Sequence, residues 1–367
     1  MPLGFTIQHE LGAARSGRLV TSHGVVETPA FMPVGTLGAV KGLGPGDLRE
    51  AGAQIMLSNL YHLALRPGIE TIESLGGLHC FSGWPGPLLT DSGGYQVFSL
   101  AALRHVDADG VTFRSHLDGA AMRLTPENVV EMQHRLGVDV AMILDECPPW
   151  PVDEGEARGS LDRTLAWAER AREAWGRGQG AGGAFGIVQG STYRGLREEA
   201  VERLVSFDFH GYAIGGVSVG EPGPERRAAV EWTGPILPRD RLRYLMGVGY
   251  PGDILHAVRH GIDLFDCVLP SRSARHGLLF TRQGEIKIKH AGFRSAEGPV
   301  DVECRCSTCA GVSRAFLHHL ARYEPLTAQV LATRHNVAFY LDFLAEVRQA
   351  IAAGTLPEVE ARLHLER

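Results

Sequence analysis

Short, almost unbroken apolar runs recur along the chain, each closed by a polar or glycine-rich turn and followed by a helical pattern. They occupy residues 29–35, 54–59, 88–91, 138–145, 184–189, 211–216, 242–247 and 264–270. Continuous hydrophobicity, rather than alternation, is what a strand buried on both faces requires, as in a parallel sheet. The segments between the runs read as amphipathic helices. Thr125-Pro126-Glu127 offers a capping residue, a proline at the first helical position and an early acid, and Val129, Met132 and Leu136 then share one face. Leu161, Leu165 and Ala168 repeat the helical spacing in the next segment. Eight strands alternating with helices predict an α/β protein, either a closed (β/α)8 TIM barrel or a doubly wound sheet, and the count favours the barrel.

Two stretches depart from this rhythm. Residues 1–34 alternate and turn at Gly17 and Gly24, which predicts a small antiparallel sheet across the bottom of the barrel. Residues 280–340 interrupt the alternation and carry three closely spaced cysteines, which predicts a subdomain inserted around the last helix. Residues 1–367 then form one barrel domain with two additions, a size that buries a large core.

In a barrel, chemistry sits at the C-terminal ends of the strands. The runs here end in residues that a packed core rejects: Asp91-Ser92-Gly93-Gly94-Tyr95, Asp145-Glu146-Cys147, Gln189-Gly190, Gly215-Gly216-Val217-Ser218, Met246-Gly247 and Asp266-Cys267. A lone aspartate at such a place is most often a helix cap. Three aspartates and a glutamine at successive strand ends instead converge on one cavity. No histidine cluster accompanies them at the strand ends, and His62 and His79 lack ligand spacing, which argues against a metallohydrolase. Neither a G-x-S-x-G elbow nor a P-loop is present, which removes serine-hydrolase and nucleoside-triphosphate chemistry. Paired carboxylates suit displacement at an anomeric carbon, one attacking while the other moves the leaving group's proton. The leaving group is a sugar or a nucleobase. Aromatic residues make up only 7% of the chain, few for a sugar cleft. A flat heterocycle between Tyr95 and Met246, its edge read by Asp145 and Gln189, fits the strand ends better.

A formal charge of −6 does not by itself suggest a nucleic-acid partner, but the charge is unevenly spread. Between positions 272 and 294, Arg272, Arg275, Arg282, Lys287, Lys289 and Arg294 face a single acid, Glu285. Such a patch is either a solvated face or an anion- or RNA-binding footprint. No apolar run reaches the length of a membrane span, and the first residues lack the basic and apolar regions of a signal peptide, so a cytoplasmic location is expected. Among six cysteines, Cys304, Cys306 and Cys309 supply three thiolates at tight spacing, and His335 follows in a helical segment. Three sulfurs and one imidazole complete the closed tetrahedron of a structural zinc, one per chain.

Together these motifs resemble the bacterial tRNA-guanine transglycosylases from end to end. The resemblance rests on Asp91-Ser92-Gly93-Gly94-Tyr95-Gln96-Val97-Phe98, Asp145-Glu146-Cys147, Val188-Gln189-Gly190-Ser191, the stretch from Gly215 to Glu221, Tyr244-Leu245-Met246-Gly247-Val248-Gly249, Phe265-Asp266-Cys267-Val268-Leu269-Pro270 and the cysteine–histidine set. It implies exchange of the wobble guanine in tRNAs with GUN anticodons (Asp, Asn, His, Tyr) for a 7-aminomethyl-7-deazaguanine precursor of queuosine, by double displacement through a covalent aspartyl–ribose intermediate. It implies Asp266 as nucleophile and Asp91 as general acid/base. Asp145, Gln189 and the backbone at Gly216 would read the base in a pocket shared with Ser92, Gly93 and Gly94, with Tyr95 and Met246 on its faces and Glu221 steadying the backbone beneath. Gly247, Val248, Gly249, Tyr250, Pro251, Gly252 and Asp253, with a loop of Ser271, Arg272, Ser273, Ala274 and Arg275, would grip the anticodon loop of the tRNA, and the protein would be a homodimer. Val217 and Ser218 depart from the Leu-Ala of many members beside the base, and Ser271 and His276 from their Thr and Asn. Two other readings are a non-catalytic RNA-binding subunit, opposed by the presence of both Asp91 and Asp266, and a retaining glycosidase, disfavoured by the cysteine cluster and the basic patch.

Overall fold

The computed structural model describes residues 3–94, 104–115, 119–178, 180 and 182–362. Strands β1 (Gly4–Leu11), β2 (Ala14–Thr21) and β3 (Gly24–Thr28) form an antiparallel sheet. Its first turn lies at Gly12-Ala13 and not at Gly17. Gly17 is instead inside β2, paired with Ile7 and Thr28, where a side chain would crowd the Thr6 carbonyl. Glycine there serves close approach rather than a turn. Ala30–Pro33, at the end of the same stretch, already belongs to the barrel.

The barrel begins with β4 (Ala30–Pro33), β5 (Met56–Asn59) and β6 (Leu88–Asp91). An antiparallel excursion follows, β7 (Arg104–Asp107), β8 (Gly110–Arg114) and β9 (Ala121–Leu124), which the apolar pattern did not announce because its strands are short and half polar. The barrel resumes with β10 (Val140–Met142), β11 (Gly183–Val188), β12 (Gly211–Ile214), β13 (Leu242–Leu245) and β14 (Leu264–Cys267). Each barrel strand lies parallel to its neighbours in chain order, and β14 pairs with β4. A parallel bridge between Val34 and Leu57, with Gly35 N donating to Leu57 O over 2.7 Å, joins β4 to β5 and closes the ring. All six residues of β11 are buried, the two-sided burial that the continuous apolar runs required. The helix Pro126–Leu136 starts as its sequence reads: Thr125 caps it reciprocally with Asn128, and proline takes the first position.

The N-terminal sheet is tied to the bottom of the barrel by charge. Arg15 donates to Asp263 Oδ1 at 2.9 Å and to the Arg239 and Arg241 carbonyls at 2.6 and 2.7 Å, all just ahead of β13 and β14. At the other end of the chain, a helix (Leu269–His276), the hairpin of β15 (Leu278–Thr281) and β16 (Gly284–Lys287), and helices Ser307–Gly311 and Arg314–Tyr323 gather around a second small core that includes Leu279, Ile288, Val300 and Leu317. The 29-residue helix Pro325–Ala353 unites the two cores, because Ala328 and Ala332 enter the small one while Phe339, Tyr340 and Phe343 enter the barrel's. Among the described residues, no helix is long and apolar enough to cross a membrane.

Candidate active site

Asp91 ends β6 and Asp266 stands near the end of β14, both at the C-terminal mouth. Asp91 accepts from Asn59 Nδ2 at 2.6 Å, from Leu60 N at 3.1 Å and from Gly93 N at 3.3 Å. Burial nevertheless pushes its pKa up to about 7, and the charge of Asp266 adds to the shift. A carboxyl poised there can both give and take a proton near neutrality. Asp266 is fixed differently. Its Oδ1 accepts from Tyr244 Oη at 2.6 Å and from Gly247 N at 2.7 Å, while among the described residues nothing donates to Oδ2. Burial raises its pKa, and the two hydrogen bonds counter the rise.

Beside this pair lies a buried polar couple. Gln189 Nε2, just past β11, donates to Asp145 Oδ2 over 2.6 Å, just past β10. Burial lifts the Asp145 pKa to about 6 against the hydrogen bonds from Gln189 and Ser92. One amide hydrogen of Gln189 is thus committed within the protein, and among the described residues its buried Oε1 has no partner. Leaving such an acceptor empty costs about 1–3 kcal/mol, which a bound donor recovers. A Cβ at Gly94 would overlap Asp145 Oδ1, and one at Gly216, whose φ is +64°, would collide with Gln189 Oε1. The two glycines therefore let the main chain run directly against the polar couple. Met246 is half-buried at the same mouth, and Tyr95 lies outside the described residues.

Beneath the couple, the turn from Gly215 is held from two sides. Glu221 accepts from Ser218 N at 2.5 Å and Val219 N at 2.9 Å. Arg197, fully buried, donates to Ser191 O at 2.6 Å and to the carbonyls of Gly215 and Gly216 at 3.1 and 3.3 Å. Burial draws its pKa down to about 10. Arg197, Tyr244 and Asn59 are functional neighbours that the sequence reading assigned no role. Arg197 left a signal, because it shares the apolar face of its helix with Leu204 and Val201, a position where a charge needs a reason.

The segments expected at the anticodon loop are partly turned inward. Residues 271–275 are not a loop but the middle of the helix Leu269–His276, favoured by Pro270 in its first turn. Ser271, Ser273 and Ala274 are buried there, whereas Arg272 is exposed and Arg275 half-buried. Gly247 and Tyr250 are exposed and Gly252 half-exposed, while Val248, Gly249 and Pro251 are buried. Asp253 is buried and already held by Arg226 and Arg227, each at 2.8 Å. In the basic patch Lys287, Lys289 and Arg294 are exposed, but Arg282 leaves it, since its guanidinium is paired with Glu346.

Cys304, Cys306, Cys309 and His335 come together as their spacing predicts, with ligand atoms all within 4.8 Å of one another, so they could hold a metal ion. His335 turns Nδ1 toward Cys309 Sγ at 3.3 Å and Cys306 Sγ at 3.7 Å, while its Nε2 bonds the Phe280 carbonyl at 2.8 Å. That outer bond fixes the tautomer that presents Nδ1 as a ligand. The donor set, three sulfurs and one nitrogen, is compatible with zinc and leaves no position for a substrate.

Comparison with known proteins matches residues 10–367 to the family model described as queuine tRNA-ribosyltransferase. A queuine tRNA-ribosyltransferase of Desulforudis audaxviator is 53% identical over 339 residues, covering 92% of this chain and 91% of the relative. Proteins of the same name from Koribacter versatilis and Neisseria meningitidis are 49% and 48% identical, each over 365 residues, covering 96% and 100% of this chain and 95% and 98% of theirs.

Proposed function

The chain belongs to the queuine tRNA-ribosyltransferase family, and on that premise we propose that it exchanges the wobble guanine of tRNAs with GUN anticodons for a 7-aminomethyl-7-deazaguanine. The observation that carries this reading is the unlike pair of carboxyls at the mouth: Asp266, pinned through one oxygen, and Asp91, shifted to about 7. Oδ2 of Asp266 attacks C1′ of the wobble ribose, and the glycosidic electron pair leaves with guanine as Asp91 hands the base a proton. The incoming deazaguanine gives its ring N–H proton back to Asp91 and attacks C1′, breaking the ester to Asp266. Two inversions retain the configuration.

The departing and incoming bases are held at the edge by Asp145, Gln189 and the main chain at Gly216, with Ser92, Gly93 and Gly94 lining the pocket and Tyr95 and Met246 on the faces. Oε1 of Gln189, without a partner among the described residues, and the Asp145 carboxylate beside it make an acceptor-rich wall suited to the N–H edge of guanine. Arg272, Arg275, Lys287 and Lys289 serve the anticodon loop, whose wobble base is splayed out at little cost from a single-stranded segment. The cysteine–histidine set holds one zinc that braces the subdomain and takes no part in the chemistry. The family likeness further supports a homodimer acting in the cytoplasm, built as one barrel domain with two additions.

Incubation with radiolabelled guanine and unmodified tRNA tests the reading. Label entering GUN tRNAs is expected. Guanine release without incorporation, or no labelling of any tRNA, overturns it.

A further inference from the structure

We propose that the outer wall of the barrel carries a second metal site, in which Glu231, His256 and His260 bind a divalent transition ion such as zinc, cobalt or nickel through two imidazoles and one carboxylate. Helices Gly223–Thr233 and Pro251–Arg259 are neighbours on that wall. Arg227 and Glu231 recur at i, i+4 on the first; Asp253, His256 and His260 recur at i, i+3, i+7 on the second and its cap. Each set therefore lines one face, and the two faces meet. At the leading ends Arg227 grips Asp253 at 2.8 Å. Farther along, Nε2 of His256 stands 3.3 Å from Oε1 of Glu231, and the rings of His256 and His260 have centroids 4.6 Å apart. One ligand atom from each of the three lies within 4.8 Å of the others.

The hydrogen bonding around the rings favours a cation over a plain ion pair. His260 Nδ1 bonds the His256 carbonyl at 2.9 Å. Metal-ligating histidines are oriented in this way, one ring nitrogen on a main-chain acceptor and the other presented with its lone pair. Among the described residues, His256 Nε2 is buried without a hydrogen-bond partner. The 3.3 Å between Nε2 of His256 and Oε1 of Glu231 matches the separation of two ligand atoms that share one ion. Imidazole donors select zinc, nickel or cobalt over magnesium or calcium. The bound ion would join the trailing ends of two helices whose leading loops shape the base pocket. Among the described residues, the other imidazole–carboxylate group, His23, His79 and Asp139, is already closed on itself, with the rings stacked at 3.6 Å and Asp139 accepting from Leu88 N and Ser22 Oγ.

The test is titration of the full chain, its cysteine site loaded with zinc, with Co2+. One further equivalent should bind with the weak visible absorption of nitrogen and oxygen ligands, without a thiolate-to-cobalt band, and should raise the melting temperature. Glu231→Gln, at an exposed position, should weaken that binding by at least about tenfold, the loss that even an outer-shell partner causes. His256→Ala combined with His260→Ala should abolish it, with guanine exchange unchanged. Absence of a further equivalent, undiminished binding in Glu231→Gln, or loss in His23→Ala instead would overturn the site.

Discussion

The phenol of Tyr244 donates to Oδ1 of Asp266 over 2.6 Å, on the same oxygen that takes the Gly247 amide. Burial holds the Tyr244 pKa well above its ordinary value, so the phenol stays a donor. A hydrogen bond to a charged group contributes about 1.5–3 kcal/mol. Tyr244→Phe should therefore lower kcat of guanine exchange about ten- to a hundredfold with little change in KM for tRNA. The loss should be greatest at low pH, because the missing bond also raises the Asp266 pKa. Steady-state kinetics across pH checks this, and an unchanged kcat refutes it.

Asp91 carries a stability cost with a defined sign. Its folded pKa, about 7, lies above the unfolded value of roughly 3.9, so the folded state holds the proton more tightly between them. The stabilisation from that proton is fully present below the unfolded pKa and is lost as pH rises through 7. Asp91→Asn should melt above the unaltered chain at pH 8, and the gap should close toward pH 4. Thermal melts at both pH values decide it.

At Gly216 a side chain meets Gln189 Oε1, so Gly216→Ala must push the amide out of place. Overpacking of this kind costs about 1–3 kcal/mol. KM for guanine should rise about tenfold or more, while binding of tRNA, measured directly, stays as it was.

Cys306→Ser should release the metal and loosen the small core around Leu279 and Leu317. Structural zinc contributes on the order of 10 kcal/mol to folding. Elemental analysis should give one zinc per unaltered chain and none for the variant. Full retention would remove the assignment.

The barrel was legible because its strands are buried on both faces, which writes runs such as Gly183–Val188 into the sequence without interruption. The cysteine set was legible because a thiolate cluster needs short spacing. The excursion from Arg104 to Leu124 was not, since its strands are brief and mixed in polarity. Gly17 misled because glycine marks close approach as well as turns, and residues 271–275 because serines and arginines on an amphipathic helix resemble a loop. Arg282 counted as part of a basic patch until its distant partner, Glu346, was in view. Partnerships across long stretches of chain, Tyr244 with Asp266 among them, exist only once the strands lie side by side.

The central claim is that Asp266, and not Asp91, forms the bond to ribose. Its Oδ2, to which no described residue donates, and its doubly held Oδ1 give the fixed line of attack that displacement requires. The most direct measurement mixes enzyme, tRNA and an incoming base analogue that stalls turnover, then denatures, digests and maps the ribose adduct by mass spectrometry. The account predicts an adduct on Asp266 that disappears in Asp266→Asn while tRNA binding persists. An adduct on Asp91 would contradict it.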